Sequence, residues 1–303
     1  MNIERLREFY ERAGYRVTTT PGASWYAPGH RVYRNFPCGA TAAPSPEDVA
    51  TLCRDRGVIG VEIGNDRGVG VPTGVWTLRD RAYDARHVQR QFRQHLARAL
   101  ERETVHEVAF DELFREGAAA NRQTLARHAS DSHHLADPQR WRMLCDAGRQ
   151  TPGAVAFATV GPDGLSAYLV GFVVGATCYG LVSHSIDAAR HAGSNHALFF
   201  SYAKTMISRP GIAAVTLGLQ ALPPIPSLDQ IKRHAGFRLE PFHLALVLRP
   251  AYRALLESPA AALALRGGAR VFGAHPALRR AEALRQMIRA TADGERANLH
   301  LSG

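Results

Sequence analysis

The hexapeptide Arg190-His191-Ala192-Gly193-Ser194-Asn195 lies between a strand-like run ending at Ser183 and an amphipathic helical run, His196–Ser208. A strand that feeds a glycine turn opening a helix gathers unpaired N–H groups and the positive end of a helix dipole at one spot. The chemistry on offer is anion binding by backbone alone. His184, at the end of the preceding strand, is a candidate base or acceptor-site contact; the alternative is a structural hydrogen-bonder. Ser183 and Ser185 either donate to a ligand or finish the strand. Arg90 and Arg93 lie in the helical pattern Ala85–Glu103, where Val88, Phe92, Leu96 and Ala99 form an apolar stripe. Arg86, Arg98 and Arg102 share its remaining surface, which is either a solvated face or a basic rim for a phosphate-rich ligand. Metal catalysis is not expected: His128, His133 and His134 cluster, as do His184, His191 and His196, but without acids or cysteines at a recognised spacing. No G-x-S-x-G elbow supports a serine nucleophile.

The elements that must position these residues follow from the hydropathy pattern. Gly164–Ser183 is uncharged and long enough to consider as a membrane span. Gly171 and Gly175 interrupt it, and it reads better as two buried strands, Leu165–Val174 and Thr177–Ser183, turning at Gly175-Ala176. Ala213–Leu219 is a β-branched strand, and a short helix from Ser227 ends at Gly236-Phe237. Earlier in the chain, Ile3–Ala13 is a helix and Tyr15–Thr20 and His30–Phe36 are strand-like. Ser45-Pro46-Glu47-Asp48 starts a helix, with a cap, a proline in the first turn and early acids. Val58–Ile63 reads as a buried strand, Gly64–Gly74 as loop, and Phe110–His128 and Pro138–Gln150 as helices. Ala129–Ala136 is polar. After Pro250 the chain is rich in Ala, Leu and Arg, with Arg279, Arg280, Arg285 and Arg289 on a helix expected to pack on the body; residues from Asp293 should be loose.

The 303 residues have room for one large domain or two moderate ones, and 46% hydrophobic with 21% charged residues is ordinary for a globular protein. Met1–Tyr15 carries too many charges for a signal peptide, and a cytoplasmic protein is expected. Four scattered cysteines without a C-x-x-C argue for free thiols rather than a zinc ribbon or disulfide framework. The net charge is +10, and all but two of the 37 basic residues, Lys204 and Lys232, are arginine. A field of that sign suits polyanionic ligands (CoA, nucleotides, tRNA, an anionic membrane face) or serves solubility.

From Gly153 onward the chain resembles the GCN5-related N-acetyltransferase (GNAT) superfamily. The segment Arg190–Asn195 is similar to that family's R/Q-x-x-G-x-G/A turn, with Asn195 where Gly or Ala is usual. Asn tolerates left-handed backbone better than most residues. Lys232, four residues before Gly236, resembles the F-K-x-x-F-G motif of the FemAB branch and replaces the Tyr of ordinary acetyltransferases. Asn195-His196-Ala197-Leu198 with Tyr202-Ala203-Lys204, and Arg90-Gln-Phe-Arg93-Gln-His-Leu-Ala-Arg98-Ala99, resemble two helices of the same branch.

The resemblance implies an α/β (α+β) fold with a mixed twisted sheet flanked by helices in two GNAT-type lobes side by side. Residues 1–108 would form an N-terminal lobe, 109–250 the acyltransferase lobe, and 251–303 a helical extension. It implies transfer of an acyl group from acyl-CoA or acetyl-CoA to an amine of a small molecule, sugar or peptide, without a covalent enzyme intermediate. Arg190, Gly193, Ser194 and Asn195 would hold the CoA pyrophosphate. Lys232 would offset charge on the leaving group, and Arg90, Arg93 and Ser183 would contact substrate or phosphate. Two alternatives stand: aminoacyl-tRNA as donor, favoured by the arginines, and a non-catalytic binding module, favoured by the missing Tyr. Peripheral membrane contact and oligomeric state stay open.

Overall fold

A computed structural model describes residues 3–28, 31–127, 133–261, 263 and 281–292, without the side chains of His133, Arg190 and His191. His30, His128, residues 129–132, Arg279, Arg280 and the chain from Asp293 lie outside the described residues. The chain begins with α1 (Ile3–Arg12), β1 (Arg16–Thr20), β2 (Ala23–Ala27), β3 (Val32–Phe36), α2 (Pro46–Arg54), β4 (Gly60–Asn65) and β5 (Val71–Leu78). Next come α3 (Arg90–Leu100), β6 (Thr104–Glu107), α4 (Phe110–Glu116), α5 (Ala118–Arg127) and α6 (Pro138–Gln150). Then follow β7 (Ala154–Gly161), β8 (Gly164–Val174), β9 (Thr177–Ser185), α7 (Asp187–Ala192), α8 (Ser194–Ser208), β10 (Ala214–Leu219), α9 (Pro226–His234), β11 (Arg238–Leu248) and α10 (Pro250–Glu257). Residues 281–292 are helical.

These elements form two compact units built from interleaved segments. The first comprises Met1–Tyr15, Val75–Leu219 and Pro226–Glu240; the second comprises Arg16–Gly74, Gln220–Ile225 and Pro241–Gly303. Strands β5 and β11 each begin in one unit and end in the other. The consecutive division expected at residues 108 and 250 runs across these units.

In the first unit the strand order is β5-β10-β9-β8-β7-β6. Its pairings are antiparallel except β9 with β10, which are parallel. One sheet face carries α3, α8 and α9, through a core that includes Phe92, Leu198, Tyr202, Phe237 and Leu169. The opposite face carries α1 and α6, with Phe9 against Phe172 and Trp141 against Tyr168 at ring separations of 5.4 and 5.3 Å. With both faces covered, β8 is a near-continuous apolar run, which is why it imitates a membrane span in the sequence. The β8–β9 register slips between Val170↔Val182 and Gly171↔Gly180, leaving Leu181 as the extra residue of a bulge. Before the bulge Cys178 faces α8; after it His184 faces α5.

In the second unit the order is β1-β2-β3-β4-β11, antiparallel except for the parallel pair β3–β4. Helix α2 starts with the reciprocal Ser45–Asp48 capping box and covers Trp25, Tyr33 and Val61. The helix at 281–292 buries Ala283, Met287 and Ile288, and Thr291 Oγ1 accepts from the Leu246 N–H, so it packs as expected.

Four local expectations change. Strand β5 occupies part of the presumed loop before Gly74, and β2 and β6 are additional strands. Helix α3 starts at Arg90 rather than Ala85, because Asp84 accepts from the Arg86 N–H and His87 bridges Asp80 and Asp84 in a polar turn. The helix read over Phe110–His128 is two, parted at Gly117, where a Cβ would lie 2.8 Å from both the Leu113 carbonyl oxygen and the Trp141 ring.

Candidate active site

The parallel joint of the first unit is short. Only Ala214↔Thr177, Val215↔Cys178 and Thr216↔Tyr179 pair before β9 and β10 part. Glycines mark the parting: a Cβ on Gly180 would stand 2.8 Å from the Thr216 carbonyl oxygen, and Gly218 has φ +74°. At this point Lys232, on α9 and only 5% exposed, donates from Nζ to the Leu217 carbonyl at 2.8 Å. Asp229, one turn earlier on α9 and also buried, accepts from Trp76 Nε1 at 3.3 Å. Arg233 lies over the Trp76 ring at 5.9 Å. The far end of α9 is pinned by the turn before α3. Tyr83 donates to the Ala235 carbonyl at 2.7 Å, and the Gln89 N–H donates to the His234 carbonyl at 2.9 Å. The Lys232 amine is thus held against the Leu217 carbonyl where the β9–β10 pairing ends, a position from which an ammonium can offset developing negative charge.

The turn at Gly193 is built differently from a free anion site. Gly193 is left-handed (φ +82°), and a Cβ there would lie 2.8 Å from the His95 carbonyl oxygen, so the turn packs closely against α3. Ser194 is fully buried and donates from Oγ to Glu103 Oε1 at 2.9 Å; its carbonyl accepts from Thr159 Oγ1 at 3.3 Å. Glu103 is itself buried, and its Oε2 has no partner among the described residues. A carboxylate already occupies the neighbourhood of the α8 N-terminus, where the helix dipole favours negative charge. Asn195 Nδ2 donates to Ser185 Oγ at 3.3 Å. His196 follows, its ring stacked on His95 at 4.7 Å and beside Phe92 at 4.8 Å. Burial, with His95 and His234 nearby, lowers its pKa to about 4.

His184 lies on the other face of the sheet in a buried knot. Its Nδ1 is 2.6 Å from Asn121 Oδ1 and 3.1 Å from Tyr168 Oη, and Tyr168 donates to the same Asn121 oxygen. Burial holds the Tyr168 hydroxyl well above its ordinary pKa, so it stays protonated. Helix α5 also clamps the end of β9: Thr124 Oγ1 donates to the Ser185 carbonyl and accepts from its N–H. Arg127 donates to that carbonyl too and pairs with Asp187.

The predicted residues therefore separate into three places. Lys232 stands at the strand joint. Gly193, Ser194 and Asn195 form the α8 turn, with Arg190 in α7 by its backbone. His184 sits in the α5 knot, four residues (about 13 Å) along β9 from Gly180 and on the face opposite α9. Ser183 is exposed on β9. Arg90 and Arg93 are exposed on α3, with Arg93 donating to the Val88 carbonyl at 3.1 Å. Asn121, Tyr168, Glu103, Trp76 and Asp229 escaped the sequence reading. A lone buried-type Asn amid the alanines of α5 was the one local signal for any of them. Cys178, against Tyr202 Oη at 3.2 Å, is buried, which pushes its thiol up to about 12. Among the described residues no group of three His, Cys, Asp or Glu side chains is placed to hold a metal ion. None of the described helices is long and apolar enough to cross a membrane.

No protein-family model and no curated protein matches the chain. Solved structures do. A C-terminal domain named for lysylphosphatidylglycerol synthetase, from Agrobacterium fabrum, aligns with 84% of this chain and 91% of its own at TM-score 0.52 and 15% identity. FemX aligns with 84% of this chain and 93% of its own at TM-score 0.52 and 11% identity. The chain has a GNAT-like, FemAB-type fold. A tandem GNAT protein from the clavulanic acid biosynthesis pathway is also similar, with TM-score 0.45, 11% identity and coverage of 75% and 78%. At these identities the likeness is one of fold. Of the parts described above, the α8 turn and Lys232 are those that the sequence resemblance singles out; the joint between β9 and β10 comes from the structure.

Proposed function

We propose that the protein transfers an acyl or aminoacyl group to an amine in the first unit. The observation that carries this reading is the parallel joint that parts after three residue pairs, with the buried Lys232 ammonium beside it. An extended donor lying past the last pair would meet backbone groups of β9 and β10 that no longer pair with each other. The amine nitrogen bonds to the acyl carbon while the C–O or C–S bond breaks. The nitrogen loses its proton to a base, and the leaving oxygen or sulfur takes up a proton in turn. Lys232 lowers the cost of the negative charge that develops meanwhile.

Glu103 favours aminoacyl-tRNA over acyl-CoA as donor. A pyrophosphate at Arg190–Asn195 would meet the Glu103 carboxylate beside Ser194, and the two charges repel. Arg90, Arg98 and Arg102 are exposed without a carboxylate partner among the described residues, which suits an RNA backbone. The structures with TM-scores above one half carry names, FemX and lysylphosphatidylglycerol synthetase, that agree with aminoacyl transfer. The acceptor we propose is an amine of a small molecule, sugar or peptide.

Ligand-induced thermal stabilisation tests the donor. tRNA at about a hundred times its dissociation constant should add roughly 2.7 kcal/mol, with CoA and acetyl-CoA adding nothing. A CoA shift that survives Glu103→Gln would restore the acyl-CoA reading, and no shift with any donor would favour a binding module. For chemistry, Lys232→Met should lower transfer from charged tRNA to hydroxylamine about 100-fold while leaving tRNA binding intact.

A further inference from the structure

We infer that the Thr216 hydroxyl binds the acceptor amine, at the joint of β9 and β10 and on the sheet face opposite Lys232. This rests on the transferase reading for what the amine attacks, but not for its being bound. Among the described residues Thr216 is the last of β10 to pair with β9. Its Cα partners are Thr77 on β5 and Tyr179 on β9, and Tyr179 stands opposite Phe172, which packs on Phe9 of α1. Residues opposite one another on paired strands share a sheet face. The row therefore lies on the α1 face, whereas Val215 and Leu217, on either side of Thr216, belong to the core under α8 and α9. Thr216 is 3% exposed, and its Oγ1 has no hydrogen-bond partner among the described residues. A hydroxyl buried without a partner destabilises the fold that holds it. One kept where the strand pairing ends is placed for a ligand.

The space beside this hydroxyl suits a primary amine. Two residues past Thr216, a Cβ on Gly218 would meet one atom within 4 Å, the Gly180 carbonyl oxygen at 3.6 Å. That oxygen faces β10 at a level where the two strands no longer pair. An amine placed there offers one N–H to the Gly180 carbonyl and another to the Thr216 oxygen, and its lone pair stays free for attack. A carboxylate or phosphate in the same place would meet the negative end of the carbonyl dipole and be repelled. The direction of attack agrees. An acyl group lying along the strands has its carbonyl plane close to that of the sheet, and a nucleophile reaches the carbonyl carbon across that plane. Helix α9 with Lys232 stands on one side, so the amine comes from the other, where Thr216 is.

Thr151 is the control: at the end of α6 and outside the joint, it is 2% exposed, and its Oγ1 likewise lacks a partner among the described residues. In the full-length protein with methyl-labelled threonine, titration with hydroxylamine, a small neutral amine, should move the NMR signal of the Thr216 methyl and leave that of Thr151 in place. Loss of each signal in Thr216→Val and Thr151→Val assigns it, and Thr216→Ser serves if the valine variant does not fold. A Thr216 signal that stays still, or moves no more than that of Thr151, overturns the inference whether or not the protein transfers anything. Both valine variants remove an unpartnered hydroxyl and should raise the urea midpoint. Only Thr216→Val should raise the KM for hydroxylamine, about tenfold, with donor binding unchanged, and Thr216→Ser should keep it near the wild-type value. A wild-type KM in Thr216→Val overturns the inference. A Thr216 signal that moves as stated in a protein that transfers nothing would overturn the transferase reading and leave the amine site standing.

Discussion

Each unit has one parallel strand pair among its described residues, and the two pairs end differently. In the second unit β3 and β4 are tied by a pair between Arg34 and Glu62, whose Arg34 Nε–Glu62 Oε2 contact is 2.6 Å, and Asn35 continues the closure. Asn35 Oδ1 accepts from the Gly64 N–H, its Nδ2 donates to the Ala40 carbonyl, and the Ala42 N–H donates to the Gly64 carbonyl. The chain itself fills the space past the last pair. In the first unit no further residue pair follows Thr216↔Tyr179 among the described residues, although Gly180 still packs against Thr216 and Leu217. The register ends there, and the buried Lys232 amine donates to the Leu217 carbonyl just past it. One architecture thus gives a stitched joint and an open one, and side chains beyond the last backbone pair decide which.

The largest expected effect is at the stitch. Arg34→Met leaves Glu62 buried without its partner and should cost about 4 kcal/mol in urea unfolding without altering donor binding. A neutral result would mean that the stitch adds nothing to closure. The two glycines give a matched comparison. Gly64→Ala would put a Cβ 2.7 Å from the Ala40 carbonyl oxygen, and Gly180→Ala one 2.8 Å from the Thr216 carbonyl oxygen. The stitched joint has no room to yield, so Gly64→Ala should cost about 3 kcal/mol. Strands already parting can spread, so Gly180→Ala should cost only about 1 kcal/mol yet weaken donor binding. Equal costs would erase the distinction. The smallest effect concerns the helix behind the open joint. His196 in the folded protein has a pKa of about 4, below its ordinary 6.5, so the unfolded chain takes up the proton first. Stability present above pH 6.5 should fall as pH drops towards 4, by about 1 kcal/mol once its partial exposure is allowed for. His196→Phe should flatten that slope.

Local chemistry made much of this legible. Ser45-Pro46 announces its helix, the pattern over Pro138–Gln150 gives another, Gly175 marks the β8–β9 turn, and the sequence locates the glycine turn before α8 and Lys232 before Gly236. Strand β5 was hidden because Pro72 and Gly74 read as loop while its burial comes from elsewhere in the sheet. The bulge at Leu181 is invisible to a strict alternation, which continues past it with the wrong face. Glu103 meets Ser194 across 91 positions, and Trp76 meets Asp229 across 153, so no local period relates them. The turn was found, but not the carboxylate beside it, and that carboxylate changes which donor the turn suits.

The pairing of β4 with β11 also bears on how the protein is made. Asn65 waits for His243, 178 positions later, before that side of β4 is covered. At about 5–20 residues per second the ribosome needs roughly 9–36 seconds to supply it. Throughout that interval the nascent chain carries a bare strand edge, the kind that pairs with whatever neighbour is at hand. Synthesis speed and chaperone supply, rather than final stability, should therefore govern how much soluble protein a cell obtains.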